Sequence, residues 1–256
     1  MNGNYIGSLL DQQKRFDGRK LDAFRPITLE TGISKNAEGS ARCKIGDTEV
    51  IAGVKMDTGV PYPDSPDQGS IIVTVELSPL ASPDFELGPP GEWATELARI
   101  VDRGIRESKA IDLKSLCITE GEKVWTLFID IYPLNDDGNL IDASVLATLA
   151  ALKSTKLVKY EDDKVQYGEF TNKSLKLDKQ PITVTLYKMG KQIFVDPTHK
   201  EEQFIDARLS VALDKGVIHA LQKGGDVPLS LEDVDAMLEI ALKKEKDLRK
   251  LLDGVK

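Results

Sequence analysis

RPITLETGISKNAEGSARCKIGDTEVIAGVKMD (25–57) reads as three short strands in a row. The runs RPITLETGI, SARCKIG and TEVIAGVKMD are separated by Asn-Ala-Glu-Gly and by Gly-Asp, so consecutive antiparallel pairing is expected. Working outward, VPYPDSPDQGS (60–70) holds three prolines and a glycine and must be a loop. SIIVTVELSPL (70–80) is the most strand-like run of the chain, and FELGPPGEW (85–93) is a loop ending where a helical pattern begins. That helix is expected over 92–110, followed by IDLKSLCI (111–118) and the strand KVWTLFIDIYPL (123–134). The turn Asn135-Asp136-Asp137-Gly138 then introduces an alanine-rich helix from Ile141, DASVLATLAALKST, whose small side chains permit close packing.

The theme then returns. PITVTLYKM (181–189), KQIFVDPT (191–198) and DARLSVALDKGVIHALQKG (206–224) predict strands with a Lys-Gly turn, and an amphipathic helix over roughly 230–252 closes the chain. Ser230 or the acidic residues after it suit the start of that helix. RPITLE and QPITVT each open a strand pair, a short echo between the halves. Tyr5, Ile6, Leu9 and Leu10 predict a helix over 3–16, and the polar stretch 156–178 reads as a connection. The expected fold is α+β, two similar halves with mixed or antiparallel sheets and packed helices. The expected division is an N-terminal helix (1–16), a first half (17–155), a connection (156–178) and a second half (179–256).

With 41% hydrophobic and 30% charged residues, the 256-residue chain can bury a core, which excludes global disorder. Cys43 and Cys117 are too few for a disulfide framework and lie in apolar runs, as core thiols do. Only His199 and His219 add to them as metal ligands of the softer kind. No apolar run approaches the roughly 20 residues of a bilayer span, and no signal peptide is evident, so an intracellular, cytoplasmic protein is expected. The balance of 34 Lys+Arg against 42 Asp+Glu gives −8, so any nucleic-acid contact is expected to be local or shared with a partner chain.

The most informative chemistry lies in ELARIVDRGIRESKA (96–110). Arg99, Arg103 and Arg106 recur at helical spacing on one face, with Leu97, Val101 and Gly104 opposite and Ile100 and Ile105 flanking. Three guanidiniums in line suit a phosphate backbone, since each can bind a phosphate bidentately. Spacing alone favours an ordinary solvated face with Asp102 and Glu107 as ion-pair partners. A second cluster, VDPTHKEEQFIDARLS (195–210), gathers Asp196, Glu201, Glu202 and Asp206. Such carboxylates suit magnesium or acid–base work, but no ligand spacing is diagnostic and Lys200 and Arg208 are at hand to neutralise them. His199 reads as a surface histidine. Motifs of the GxxxxGK[ST], GxGxxG and GxSxG classes are absent.

DGRKLDAFRP (17–26), ELARIVDRGIRESKAIDL (96–113), VWTLFIDIYPLNDDGNLIDAS (124–144) and VDPTHKEEQFIDARLSVAL (195–213) together resemble the RNase PH family from about residue 15 to 250. Within it, DGRKLDAFRP, DQGSIIVTVELSPLA and the PGE-to-ELARIVDRGIR stretch are most similar to the non-catalytic RNase PH-type subunit of the archaeal exosome core. The resemblance implies ribosomal protein S5 domain 2-like halves. It also implies a hexameric ring in which three such chains alternate with three copies of a catalytic paralogue, joined by RNA-binding cap subunits. Such a ring degrades single-stranded RNA from its 3′ end, with inorganic phosphate as nucleophile and nucleoside diphosphates as product. Phosphate and any magnesium then belong to the assembled complex, and no cofactor is expected in this chain.

Two departures from the family pattern are informative. Active members carry a pair of aspartates at the spacing that Glu202 and Arg208 hold here. They also carry Gly-Thr-Arg, whose arginine helps hold phosphate, where this chain reads Gly138-Asn139-Leu140. Arginine cannot accept a proton or bind a metal ion. The expectation is a catalytically silent chain, with no catalytic residue and no metal site, whose Arg99, Arg103 and Arg106 grip RNA phosphates near the 3′ end. PYPDSPDQG (61–69) has no cation and is not expected to hold RNA. The alternative is a phosphate-dependent 3′–5′ exoribonuclease active by itself, with Glu202, Asp196 or Asp206 as the acid. A stand-alone metabolic enzyme on the same fold is a third reading.

Overall fold

Alternation of apolar and polar residues builds the first sheet of the computed structural model, which describes residues 3–255. β1 (Ile27–Thr31), β2 (Gly39–Ile45) and β3 (Thr48–Gly59) form an antiparallel meander. β3 buries Thr48, Val50, Ala52, Val54 and Met56 on one face. It pairs antiparallel with β6 (Lys123–Asn135), and β4 (Ser70–Val75) joins β6 in parallel, with the short β5 (Cys117–Thr119) also pairing β6. The second sheet runs β10 (Gln192–Val195), β9 (Ile182–Met189), β11 (Ala207–Asp214), β12 (Val217–Gly224), all antiparallel. Pro26 and Pro181 each stand just before a strand that pairs with the next one, β1 with β2 and β9 with β10.

Helix α3 (Leu140–Ser154) is buried from Leu140 through Leu152 and lies between β2 and β3 of one sheet and β9 of the other. Gly39 on β2 lets the helix end come close: a Cβ there would lie 2.2 Å from Thr155 Oγ1 and 2.3 Å from the Ala151 carbonyl oxygen. α2 (Glu92–Ser108) is amphipathic and touches both β4 and β12, so it bridges the halves. α5 (Leu231–Asp253) covers β9 and β11 with Met237, Ala241, Leu248 and Leu252, and Ser230 and Asp233 form its capping box. A four-residue turn of helix, α4 (His199–Glu202), precedes β11.

Two stretches differ from the sequence expectation. α1 (Gly3–Asp11) stops short of residue 16, because Gln13 turns to φ 59 and Arg15 leaves the helix to bury its guanidinium. The first two residues of the N-terminal unit lie outside the described residues. Ile6 and Leu10 pack on Tyr187 and Phe194, so this helix belongs to the core of the second half. The stretch 156–178 contains a hairpin, β7 (Lys156–Glu161) and β8 (Lys164–Ser174), turned by Asp162 and Asp163 at φ 50 and 61. Two consecutive positive φ values are the tight hairpin turn that Asp tolerates without glycine. Cys43 is buried and Cys117 only half-buried; both are free thiols. Among the described residues, no helix is long and apolar enough to cross a membrane.

Candidate functional site

α2 begins after Pro89-Pro90-Gly91 and ends at Lys109, which adopts the left-handed conformation at φ 55. Ala94, Leu97, Ile100, Val101, Gly104, Ile105 and Ser108 form its buried face. At Gly104 a Cβ would meet the Ala212 Cβ at 3.7 Å, so the helix lies close on β11 there. The opposite face carries the arginines. Arg99 and Arg103 line a cleft of about 470 Å³ together with Glu92, Thr95, Glu96 and Gln222. Arg103 Nη1 reaches Gln222 Oε1 on β12 at 3.3 Å, and Arg99 makes no hydrogen bond or ion pair among the described residues. Arg106 is separate from them. Its Nε donates to both oxygens of Asp102 at 2.8 Å, and its Nη2 donates to the Ile71 carbonyl of β4. The stripe read from the sequence is present, but only two of its guanidiniums share the cleft.

A second cleft, about 290 Å³, lies between α4, the start of α3 and the Trp93 end of α2. Leu140, Glu202 and Arg208 all line it, with Asp136, so the two departures from the active pattern meet in one place. Asn139 starts α3 at φ 59, and its backbone N–H donates to Glu202 Oε2 at 3.3 Å. A helix N-terminus attracts anions, and here the protein's own carboxylate takes that position. Burial, with the Asp136 charge nearby, pushes the Glu202 carboxyl up to about 7. Burial also raises Asp136. Leu140, with 2% of its surface exposed, supplies no cation. Arg208 points to α2: its guanidinium lies over the Trp93 ring at 5.0 Å and its Nη2 sits 2.6 Å from Glu96 Oε2.

The remaining carboxylates of the 195–210 stretch are held in structural pairs. Asp196, fully buried at φ 48, accepts from Arg19 Nη1 (2.8 Å), Arg25 Nη2 (2.7 Å) and Asn139 Nδ2 (3.1 Å). Glu201 is held bidentately by Arg15 at 2.7 and 2.6 Å. Desolvation opposes its charge, but the Arg15 bonds and charge win and hold the carboxyl below its usual range. Burial works against the Arg25 cation as well, and Asp196 outweighs it. Asp206 accepts from the Gly190 N–H at 2.6 Å and fixes the β9–β10 turn. The expected neutralising partners are corrected accordingly. Lys200 Nζ lies over Phe16 at 5.4 Å and Arg208 pairs with Glu96, while Arg15, Arg19 and Arg25 balance the buried carboxylates. Sequence reasoning missed these three arginines; DGRKLDAFRP contained two of them as a motif without showing their partners. Among the described residues no three His, Cys, Asp or Glu side chains converge to hold a metal ion. His199 is half-exposed, with Nε2 3.7 Å from Asp84.

Known families match this arrangement along most of the chain. Residues 23–157 match the model of the 3′ exoribonuclease family, domain 1 (RNase_PH), and 179–244 match its domain 2. The exosome complex component Rrp42 of Methanocella arvoryzae is 49% identical over 253 residues, 98% of this chain and 95% of that protein. Among solved structures, a chain of the Archaeoglobus fulgidus exosome with RNA bound to the active site superposes with a TM-score of 0.90 at 45% identity, covering 97% of this chain and 96% of that one. A chain of an archaeal exosome core gives 0.87 at 42% identity, covering 98% and 96%.

Proposed function

Because the chain belongs to the RNase PH family of 3′ exoribonucleases, we propose that it is the silent, RNA-gripping subunit of an archaeal exosome-type ring. Three copies alternate with three of a catalytic RNase PH-type paralogue, RNA-binding caps join them, and the assembly works in the cytoplasm. The observation that carries this reading is the convergence of Leu140, Glu202 and Arg208 on one cleft. Phosphate arriving there meets an ionisable carboxyl on the α3 N-terminus, no arginine from the turn, and a guanidinium already engaged by Glu96. Attack on a 3′-terminal phosphodiester needs the opposite: a seated phosphate and a group to protonate the leaving oxygen. The paralogue supplies both, with the phosphate and any magnesium that the complex uses.

What this chain supplies is the approach to that chemistry. Arg99 and Arg103 face a common cleft and can each bind a phosphate oxygen pair. Arg106 supports them from the far end of the stripe, anchoring α2 to the Ile71 carbonyl. A threaded single strand needs only a local basic track, which fits a chain of net charge −8. The reading in which this chain is itself active rests on Glu202, whose carboxyl near 7 suits a general acid. It lacks a cation to seat the nucleophile. Solution mass separates the two. The silent subunit closes a ring only when mixed with its paralogue, whereas a closed homo-hexamer of this chain alone would overturn the proposal.

A further inference from the structure

The β11–β12 register places Arg208 directly opposite Gly224. A Cβ on Gly224 would come 2.5 Å from Arg208 Cζ, so the missing side chain is what lets the guanidinium lie flat across the strand. Trp93 covers its other face at 5.0 Å. The side chain is 13% exposed, and neither Nε nor Nη2 has an aligned acceptor. The Trp93 face and the Glu96 charge at 2.6 Å therefore hold it in place. Trp93 and Glu96 are successive residues of one face of α2, and Glu96 also lines the cleft of Arg99 and Arg103. Arg208 thus links the degenerate catalytic cleft to the proposed RNA cleft.

We infer that Arg208 is a positioning residue that neutralises Glu96 and so makes the Arg99–Arg103 cleft an acceptor for RNA phosphates. The inference rests on the RNA-gripping role proposed above. The cleft contains two acids, Glu92 and Glu96, and two cations, Arg99 and Arg103, and is neutral as a set. Pairing Glu96 with Arg208 of β11 at 2.6 Å leaves it with one net positive charge. The substitution that stands at a catalytic aspartate position in active relatives therefore has a use of its own.

The test uses the assembled complex with its paralogue and a fluorescent single-stranded RNA, titrated by anisotropy across a salt series. Removing the charge by Arg208→Ala should weaken binding by about three- to tenfold at low salt, as expected for one unit charge acting at close range through partly exposed surroundings. Adding Glu96→Gln to Arg208→Ala should return affinity to within about twofold of the parent, because the cleft regains one net positive charge. Glu96→Gln alone, which keeps Arg208 and the fold of its cradle, should tighten binding about two- to fivefold. Unchanged affinity in Arg208→Ala would overturn the inference. So would a double variant as weak as Arg208→Ala, since a merely structural role is not rescued by losing Glu96. Arg99→Glu is the control on the premise. If it too leaves RNA binding unchanged, the RNA-gripping role fails; if it weakens binding while Arg208→Ala does not, only the role of Arg208 fails.

Discussion

Arg25 holds Asp196 from three directions: its backbone N–H donates to Oδ2 at 2.7 Å, its Nε to Oδ2 at 3.0 Å and its Nη2 to Oδ1 at 2.7 Å. The carboxylate is fully buried and the arginine side chain 7% exposed. This contact ties the segment before β1, in the first half, to the loop before α4 in the second, while Arg15–Glu201 docks the segment after α1 onto α4. Asp196→Ala would leave the buried Arg25 guanidinium with only the part-exposed Asp137 carboxylate, 3.0 Å from its Nη1, and should cost about 3 kcal/mol in urea unfolding. A loss below about 1 kcal/mol would show that the pair is dispensable.

Glu202 predicts a pH-dependent stability of one sign. Its folded pKa, about 7, lies above the ordinary 4.5, so the stability it permits is fully present below about 4.5 and lost as pH rises to 7. Glu202→Gln keeps an acceptor for the Asn139 N–H and removes the ionisation. Relative to the parent it should gain about 1–2 kcal/mol between pH 5 and pH 8, reduced from the full shift because the side chain is part-exposed. Unfolding midpoints that differ by the same amount at both pH values would contradict this.

Glu201 has the opposite sign. Arg15 depresses its carboxyl, so its contribution is present above about 4.5 and lost as pH falls through the lower folded value. Glu201→Gln should cost about 3 kcal/mol at pH 7, because it strips a buried arginine of its charge. The gap between variant and parent should close in acid. A gap that persists unchanged at pH 3 would mean packing, and not charge, makes the contact.

The arginines of α2 separate by role. In the assembled complex, Arg99→Ala or Arg103→Ala should each reduce the salt slope of RNA binding by about one, without much loss of stability. Arg106→Ala should mainly lower the melting temperature, since its guanidinium is committed to Asp102 and the Ile71 carbonyl. Equal slope changes for all three would restore the uniform stripe read from the sequence.

How much was legible follows from where the partners lie. The β1–β3 meander, the face of α2 and the cap of α5 are written in residues a few positions apart, and each formed as local chemistry dictates. The partners of Arg15 and Arg25 stand 186 and 171 residues away, beyond any periodicity. Arg106 shows the same limit within the helix: its angle matched its neighbours and its Asp102 partner was legible at i−4, but the bond to the Ile71 carbonyl of the edge strand β4 was not. The β7–β8 hairpin was hidden for a different reason, because Asp162-Asp163 does the work usually signalled by Asn-Gly or Asp-Gly. The departures at Leu140 and Arg208 became readable only through the resemblance to active relatives, since an absent arginine leaves no mark in composition.

The most direct test of the account is to incubate a short single-stranded RNA with phosphate and magnesium, first with this chain alone and then with its paralogue, and to measure released nucleoside diphosphate. The account predicts no release from the chain alone and strong release from the mixture. Robust release from the chain alone would contradict it, and would mean that phosphate is seated beside Glu202 despite Leu140 and Arg208.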